Sequence, residues 1–292
     1  MPNSGSPIGI FDSGIGGLSV LQALLRELPH ERFVYLADSG NAPYGERGDV
    51  FVQRRALAIA RLLGQRHGIK ALVVACNTAT AAAMEQLRAA LPQLPTVGVE
   101  PALKPAARAS RTHHAGVLAT RGTVGSQRFE RLRREHGQGT RFSVQACDGL
   151  AHAIEQSTEE ALPATASATK IEALCARYTG ALGTFGSQPG EIDTLVLGCT
   201  HYVFAKDVLR ALVGPHVHII DTSAAVAQQT RRLLAQTGAL APQPAHGENS
   251  SAPERVTLLT TGQLPALQAA AQRWLGLPAQ CCALATPENA PA

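Results

Sequence analysis

Two cysteines in this chain follow apolar runs that are typical of buried strands, and both could act as acids or bases. Cys76 lies in KALVVACNTAT (70–80), where the apolar run is followed by small polar residues and then by a helical pattern. Cys199 lies in DTLVLGCTHYV (193–203), which repeats that order. A cysteine at such a turn lies at the carboxyl edge of a sheet, where open α/β folds bind ligands, and a following helix N-terminus can lower its pKa. The sequence therefore predicts two thiols at ligand-binding edges.

Two thiols on opposite walls of a pocket could invert a stereocentre. One thiol removes a proton from one face of a carbon and the other returns a proton to the opposite face, which needs neither a redox cofactor nor a metal. Possible assisting groups are Asp12 at the end of the first predicted strand, His201 two residues after Cys199, and Glu155 in a neighbouring turn or helix. A single cysteine at a strand end is usually structural. Two at matching positions, each followed by polar residues, favour chemistry.

The elements that carry these residues occur in two series. Four segments of the first series match four of the second in the same order: 8–17 with 115–124, 32–38 with 141–148, 70–80 with 193–203, and 95–100 with 216–221. Both series alternate strands and helices, which is typical of doubly wound, mainly parallel sheets. We expect an α/β protein of two similar domains, related by internal pseudo-symmetry through duplication, with the active site in the cleft between them.

The predicted domain boundaries follow from the same pattern. The first domain comprises residues 1–99 and 220–292 and is discontinuous, because a last strand and helix near the C-terminus are expected to return to it. The second domain comprises residues 100–219. The Pro-, Ala- and Ser-rich stretch 239–253 is predicted to be a flexible loop, and the tail after 277 is predicted to be disordered.

Composition excludes several functional classes. Of 292 residues only 16% are charged, and the net charge of +4 is too small to favour nucleic acid or a membrane surface as a partner. No apolar run approaches the roughly 20 residues that span a bilayer, and no secretory signal is present, so a cytoplasmic protein is expected. The six cysteines show no CxxC spacing, which argues against structural zinc or a disulfide framework. The glycines at 14, 16 and 17 lack the dinucleotide-binding spacing and instead predict close approach of the backbone to a small ligand, with helix N–H groups facing an anion.

Four segments together carry a family resemblance. IGIFDSGIGGLSV, ADSGNAPYG, ACNTATA and LGCTH occur in this order and resemble the glutamate racemases of the aspartate/glutamate racemase superfamily over residues 8–276. The resemblance implies interconversion of L- and D-glutamate without a cofactor, to supply D-glutamate for peptidoglycan. It also implies a homodimer.

The resemblance assigns roles to individual residues. Cys76 and Cys199 are implied as the two acid/base residues, with Asp12, His201 and Glu155 among the catalytic groups. The implied or expected substrate contacts are Asp12, Ser13, Tyr44, Gly45, Asn77, Thr78, Thr120, Thr123, Thr200 and His201. Because few of these are cationic, we expect the substrate carboxylates to be bound mainly by neutral donors and helix N-termini.

Three other functions stay open at this stage. An aspartate or other amino-acid racemase would share the paired cysteines. A Cys–His hydrolase would use Cys199 and His201, although residues two apart at a turn seldom place a base against its nucleophile. An amino-acid-binding protein without catalysis would need the cleft but not the thiols.

Overall fold

The computed structural model describes residues 3–158, 164–242 and 251–285. Its strands are β1 (Ile8–Asp12), β2 (Phe33–Ala37), β3 (Ala71–Val74), β4 (Thr96–Gly98), β5 (His114–Ala119), β6 (Arg141–Ala146), β7 (Thr194–Gly198), β8 (His218–Ile220), β9 (Val256–Thr260) and β10 (Cys282–Leu284). They form a six-stranded sheet in the order β10-β9-β2-β1-β3-β4 and a four-stranded sheet in the order β6-β5-β7-β8. Every strand pair in both sheets is parallel.

Helices connect these strands, as parallel neighbours require. They are α1 (Leu18–Glu27), α2 (Asp49–His67), α3 (Asn77–Ala90), α4 (Leu103–Ala109), α5 (Arg121–Val124), α6 (Gln127–His136), α7 (Leu150–Gln156), α8 (Ala164–Leu182), α9 (Lys206–Val213), α10 (Ser223–Gln236), α11 (Ala252–Arg255) and α12 (Leu264–Leu275). Short 3₁₀ helices span Ser39–Asn41, Tyr44–Glu46, Thr200–Ala205 and Ala279–Cys281. None of the helices in the described ranges is long and apolar enough to cross a membrane.

The α/β fold with parallel sheets is confirmed. Two groups of helices cover the larger sheet: α1 packs against α10 and α12, whereas α2 packs against α3. These helices bury separate apolar clusters, one containing Ile10 and Leu21 and the other containing Phe11 and Leu72. Adjacent residues Ile10 and Phe11 belong to different clusters because successive side chains of a strand point to opposite faces.

The matched segments occupy equivalent places in the two sheets. The order β2-β1-β3-β4 in the larger sheet corresponds to β6-β5-β7-β8 in the smaller one, strand for strand. The duplication and the domain boundaries remain predictions, which this shared order supports. The carboxyl ends of β3 and β7 carry Cys76 and Cys199, each two residues or fewer beyond its strand.

The prediction of a disordered tail after residue 277 is wrong for residues 278–285. Here β10 pairs with β9 and extends the larger sheet, and Cys281 is buried against its core. Residues 286–292 lie outside the described part of the chain.

The predicted flexible loop at 239–253 is also ordered at both described ends. The backbone N–H of Ala241 donates a hydrogen bond to Glu31. At the other end, Ser251 and Glu254 form a capping box that begins α11. Residues 243–250 lie outside the described part of the chain.

Candidate active site

A cleft lies where the carboxyl ends of the two sheets face each other. It encloses about 600 Å³ of empty space, including the part open to solvent. Its walls contain Asp12, Ser13, Ala42, Pro43, Tyr44, Gly45, Glu46, Cys76, Asn77, Thr78, Thr120, Arg121, Cys147, Asp148, Gly149, Ala151, His152, Glu155, Cys199, Thr200 and His201. Both predicted thiols therefore line one cleft, together with residues from both sheets.

The first thiol lies at the N-terminus of α3. Cys76 caps this helix, and its Sγ accepts a hydrogen bond from the backbone N–H of Ala79 at 3.5 Å. The thiol also lies 3.8 Å from the Ser13 hydroxyl. Ser13 in turn donates to the Asp12 carboxylate from its hydroxyl (3.1 Å) and its backbone N–H (2.6 Å). Cys76 is thus linked to Asp12 through Ser13.

Burial, not the helix N-terminus, determines the charge preference of this thiol. Burial raises the pKa of Cys76 well above its usual value, and the Asp12 carboxylate raises it further, so the Ala79 N–H is outweighed. Burial also raises the pKa of Asp12, although His201 opposes that shift. The expectation that a helix N-terminus lowers this cysteine's pKa is therefore wrong for Cys76, which rests as a thiol.

The second thiol has a different set of partners. The Cys199 Sγ lies 3.8 Å from Nδ1 of His201, and His201 Nε2 lies 2.7 Å from Oε2 of Glu155. Residues 199 and 201 were not expected to align, but the 3₁₀ helix that begins at Thr200 brings the imidazole back over the sulfur. All three side chains are largely buried in the cleft wall.

The Glu155–His201 pair is held in its charged form. Burial favours the neutral imidazole, but hydrogen bonds to Cys199 and Glu155 outweigh it and hold the pKa of His201 well above its usual value. Burial likewise opposes ionisation of Glu155, yet the bonds from His201, the Ile15 N–H and Ser39 lower the pKa of this carboxyl. His201 is therefore an imidazolium beside the Glu155 carboxylate, and its Nδ1–H is directed at the Cys199 sulfur.

The glycines after β1 serve a different contact from the one expected. A Cβ at Gly14 would lie 2.2 Å from the Glu155 carboxylate, and a Cβ at Gly16 would lie 2.3 Å from the His201 ring. An anion was expected at the N–H groups before α1. In the structure the Glu155 carboxylate takes this position and accepts a hydrogen bond from the Ile15 N–H at 2.9 Å. These glycines allow the two sides of the cleft to meet, which no local pattern could show.

The loop that carries Tyr44 is fixed by a buried carboxylate. Tyr44 donates its hydroxyl to Asp38 at 2.5 Å, and Arg55 binds the same carboxylate through two nitrogens at 2.7 and 2.9 Å. Thr261, just after β9, donates to it as well. Asp38, Arg55 and Thr261 were not predicted as site residues. Asp38 directly follows β2 and begins a polar loop, whereas Arg55 on α2 and Thr261 after β9 have no local sequence signal.

Twelve of the thirteen predicted site residues line the cleft. The exception is Thr123, which is buried behind the cleft wall and shares a hydrogen bond with Thr120. Thr120 also contacts Thr78 at 2.9 Å, which joins the two sides of the cleft. Glu155 lines the cleft and contacts His201 directly at 2.7 Å. Prediction missed Cys147, whose burial raises its pKa to about 12, and Asp148 and His152, which also line the cleft.

Neutral groups dominate the donors on the cleft walls. Among the described lining residues the only Lys or Arg is Arg121, which is mostly exposed and paired with Asp148. Asn77 is buried, and both polar atoms of its amide lack a hydrogen-bond partner among the described residues. Within those residues, no group of three His, Cys, Asp or Glu side chains is arranged to hold a metal ion.

Comparison with known proteins shows which family the sequence of this chain matches. Residues 8–230 match the family model described as Asp/Glu/Hydantoin racemase. A glutamate racemase of Ectopseudomonas mendocina is 48% identical over 246 residues, which cover 84% of this chain and 88% of the relative. A glutamate racemase of Pseudomonas syringae pv. tomato is 45% identical over 265 residues, which cover 90% of this chain and 88% of the relative.

Solved structures of similar proteins have the same fold. The glutamate racemase isoform RacE1 of Bacillus anthracis superposes with a TM-score of 0.78 at 30% identity, covering 96% of this chain and 97% of that one. The Escherichia coli glutamate racemase in complex with L-glutamate and the activator UDP-MurNAc-ala gives a TM-score of 0.74 at 28% identity, covering 92% and 95%. These matches confirm the resemblance found in the sequence, and the chain belongs to the Asp/Glu/Hydantoin racemase family and is an amino-acid racemase, hence an isomerase.

Proposed function

We propose that this racemase interconverts L- and D-glutamate by a two-base reaction at Cys76 and Cys199, without a cofactor. The names of its relatives support glutamate as the substrate. The observation that carries the mechanism is that both thiols line one cleft, and that each has its own set of polar partners.

The reaction needs only a proton transfer on each side of the substrate. In the L-to-D direction the Cys199 thiolate takes the α-proton, so the C–H bond breaks and an S–H bond forms. The Cys76 thiol then gives its proton to the opposite face, so an S–H bond breaks and the new C–H bond forms. The reverse direction exchanges the roles. The assignment of Cys199 to the L form and Cys76 to the D form follows the family resemblance.

The partners of the two thiols suit this starting state. Burial and the nearby Asp12 carboxylate favour the thiol form of Cys76, which is the proton donor in the L-to-D direction. On the other side, the His201 imidazolium is held by Glu155 and directs Nδ1 at the Cys199 sulfur, where it can stabilise a thiolate. These partners match the roles that the L-to-D direction assigns to the two cysteines.

Neutral donors are proposed to bind the substrate. The unpartnered Asn77 amide and the hydroxyls of Ser13, Thr78 and Thr200 surround the cleft near the two thiols. Satisfying a buried amide such as that of Asn77 on binding recovers the cost of its missing hydrogen bonds. A bound structure in which Arg or Lys side chains grip both carboxylates would contradict this proposal.

We also propose that the enzyme is a cytoplasmic homodimer that supplies D-glutamate for peptidoglycan, as the family resemblance implies. A size-exclusion experiment with light scattering should give twice the mass of the 292-residue chain. A monomeric mass at assay concentration would contradict the proposed dimer but not the reaction.

The proposed activity can be tested with purified protein in deuterated water and no added cofactor. With L-glutamate we expect optical activity to decay to zero while deuterium enters the α-position. L-Aspartate in a parallel reaction should change far more slowly, and the reverse preference would favour an aspartate racemase. A stable optical signal without exchange would indicate binding alone, and an acyl-enzyme detected by mass spectrometry would indicate a hydrolase.

A further inference from the structure

The Glu155 carboxylate is shared between the two sides of the cleft. Its own helix, α7, and its partner His201 both belong to the part of the chain that carries the smaller sheet. Its remaining hydrogen bonds come from the larger-sheet side. The Ser39 hydroxyl donates to Oε1 at 2.7 Å, and the Ile15 N–H donates to Oε2 at 2.9 Å.

We propose that Ser39 is a positioning residue for the Cys199 side of the reaction, acting through Glu155 and His201. This inference rests on the proposed two-base function. With Oε1 held by Ser39, the other oxygen is turned to His201 Nε2 at 2.7 Å, and the ring then presents Nδ1 to the Cys199 sulfur at 3.8 Å. Cys76 has a separate chain of contacts through Ser13, which does not include Ser39.

The turn that carries Ser39 is fixed by residues from the far end of the sequence. The Gly40 N–H donates to the Thr261 hydroxyl, and Thr261 lies just after β9. The backbones pack so closely that a Cβ at Gly262 would lie 2.8 Å from the Ser39 Cβ and 3.0 Å from the Gly40 nitrogen. A side chain at 262 must therefore displace the Ser39 turn. In this way the segment after strand β9 supports the hydroxyl that binds Glu155.

Removal of this hydroxyl should affect one half of the reaction. A hydrogen bond to a charged group contributes enough to account for about a tenfold loss of rate when it is removed. Ser39→Ala removes one of the two larger-sheet contacts that orient Glu155 towards His201 and leaves only the Ile15 N–H bond, so proton transfer at Cys199 should slow. Transfer at Cys76 keeps its partners and should be unchanged.

Primary isotope effects separate the two halves. With α-deuterated L-glutamate the C–D bond is broken by Cys199, so Ser39→Ala should raise the isotope effect on kcat/KM. With α-deuterated D-glutamate the bond is broken by Cys76, which becomes less rate-limiting, so the isotope effect should fall. Ser39→Thr keeps the hydroxyl and should restore both values. Gly262→Ala keeps Ser39 but displaces its turn. Like Ser39→Ala, it should raise the isotope effect with L-glutamate and lower the isotope effect with D-glutamate.

Asn41→Ala is the matched control. Asn41 lies in the same 3₁₀ helix and donates to Asp38 at 3.0 Å, and among the described hydrogen bonds it makes none to Glu155. This variant should not raise the isotope effect with L-glutamate while lowering the one with D-glutamate. If the wild type racemises glutamate but Ser39→Ala leaves both isotope effects unchanged, or moves them in the same sense, the positioning role is wrong. A wild type that does not racemise glutamate would instead contradict the proposed function.

Discussion

Replacement of Glu155 by Gln tests how the Cys199 side is held. The carboxylate accepts hydrogen bonds from His201 Nε2 and the Ser39 hydroxyl, both at 2.7 Å, and from the Ile15 N–H at 2.9 Å. Gln keeps the shape but has one acceptor oxygen, and its NH₂ group must face one of these donors. At least one hydrogen bond to a charged group is lost, which costs about 1.5–3 kcal/mol. The expected loss of kcat is therefore roughly tenfold to a hundredfold.

The same substitution should move the pH dependence. Hydrogen bonds to Cys199 and Glu155 hold the pKa of His201 well above its usual value against the effect of burial. The stabilisation that the His201 imidazolium provides is complete below the pKa of about 6.5 that histidine has in the unfolded chain. This stabilisation is lost as pH rises through the pKa of His201 in the folded protein. Without the carboxylate the folded pKa falls, so the alkaline limb of kcat in the L-to-D direction should begin at lower pH.

The assay is circular dichroism of glutamate racemisation across the neutral and alkaline range. Glu130→Gln is the control, because Glu130 is an exposed carboxylate on α6 that pairs with Arg133 and Arg134. It should leave both kcat and the alkaline limb unchanged. A Glu155→Gln variant with wild-type kcat and an unshifted alkaline limb would refute the reasoning.

Three further predictions concern the stability of the fold and contacts around the cleft. Lys70 and Glu31 form a buried ion pair in which each side chain is 3% exposed, so Lys70→Met leaves the Glu31 carboxylate without its cation. Thermal denaturation should show that the free energy of unfolding falls by about 3–5 kcal/mol, and a fall of less than about 1 kcal/mol would contradict this. Gly14→Ala places a Cβ within 2.2 Å of the Glu155 carboxylate and should lower kcat strongly, whereas Gly64→Ala, which meets nothing within 4 Å, should not; equal activity of the two variants would contradict the contact. Tyr44→Phe removes the hydroxyl bond that fixes the cleft loop and should raise KM for glutamate about threefold to tenfold, and an unchanged KM would show that the loop is held without it.

The paired thiols could be predicted because their signal is local and occurs twice. An apolar strand, a cysteine and then polar residues place Cys76 and Cys199 at sheet edges whatever the details of packing. Asp12 ends β1 and Tyr44 follows β2, both in the sheet that carries Cys76, so the parallel topology brings them to the same edge as this cysteine.

Contacts between the two sides of the cleft could not be predicted in the same way. Gly14 and Gly16 are needed because Glu155 and His201 approach them from the other side, and Ser39 contributes through one hydroxyl in a polar loop. Each of these depends on how the two sheets face each other, which no periodicity encodes.

The edge strand β10 was missed for a related reason. Its three residues, Cys282–Leu284, have no alternating pattern and lie in an Ala- and Pro-rich tail. Its order comes from pairing with β9 and from burial of Cys281, so only the tertiary structure shows it.

The central claim is that each thiol serves one face of the substrate, and Cys76→Ser and Cys199→Ser measured separately test it most directly. Racemisation of each enantiomer of glutamate should be followed by circular dichroism, with α-proton exchange in deuterated water recorded in the same samples. We predict that each single variant loses racemisation, while exchange on the enantiomer served by the remaining cysteine can persist. Full racemase activity in either single variant would contradict the two-thiol account.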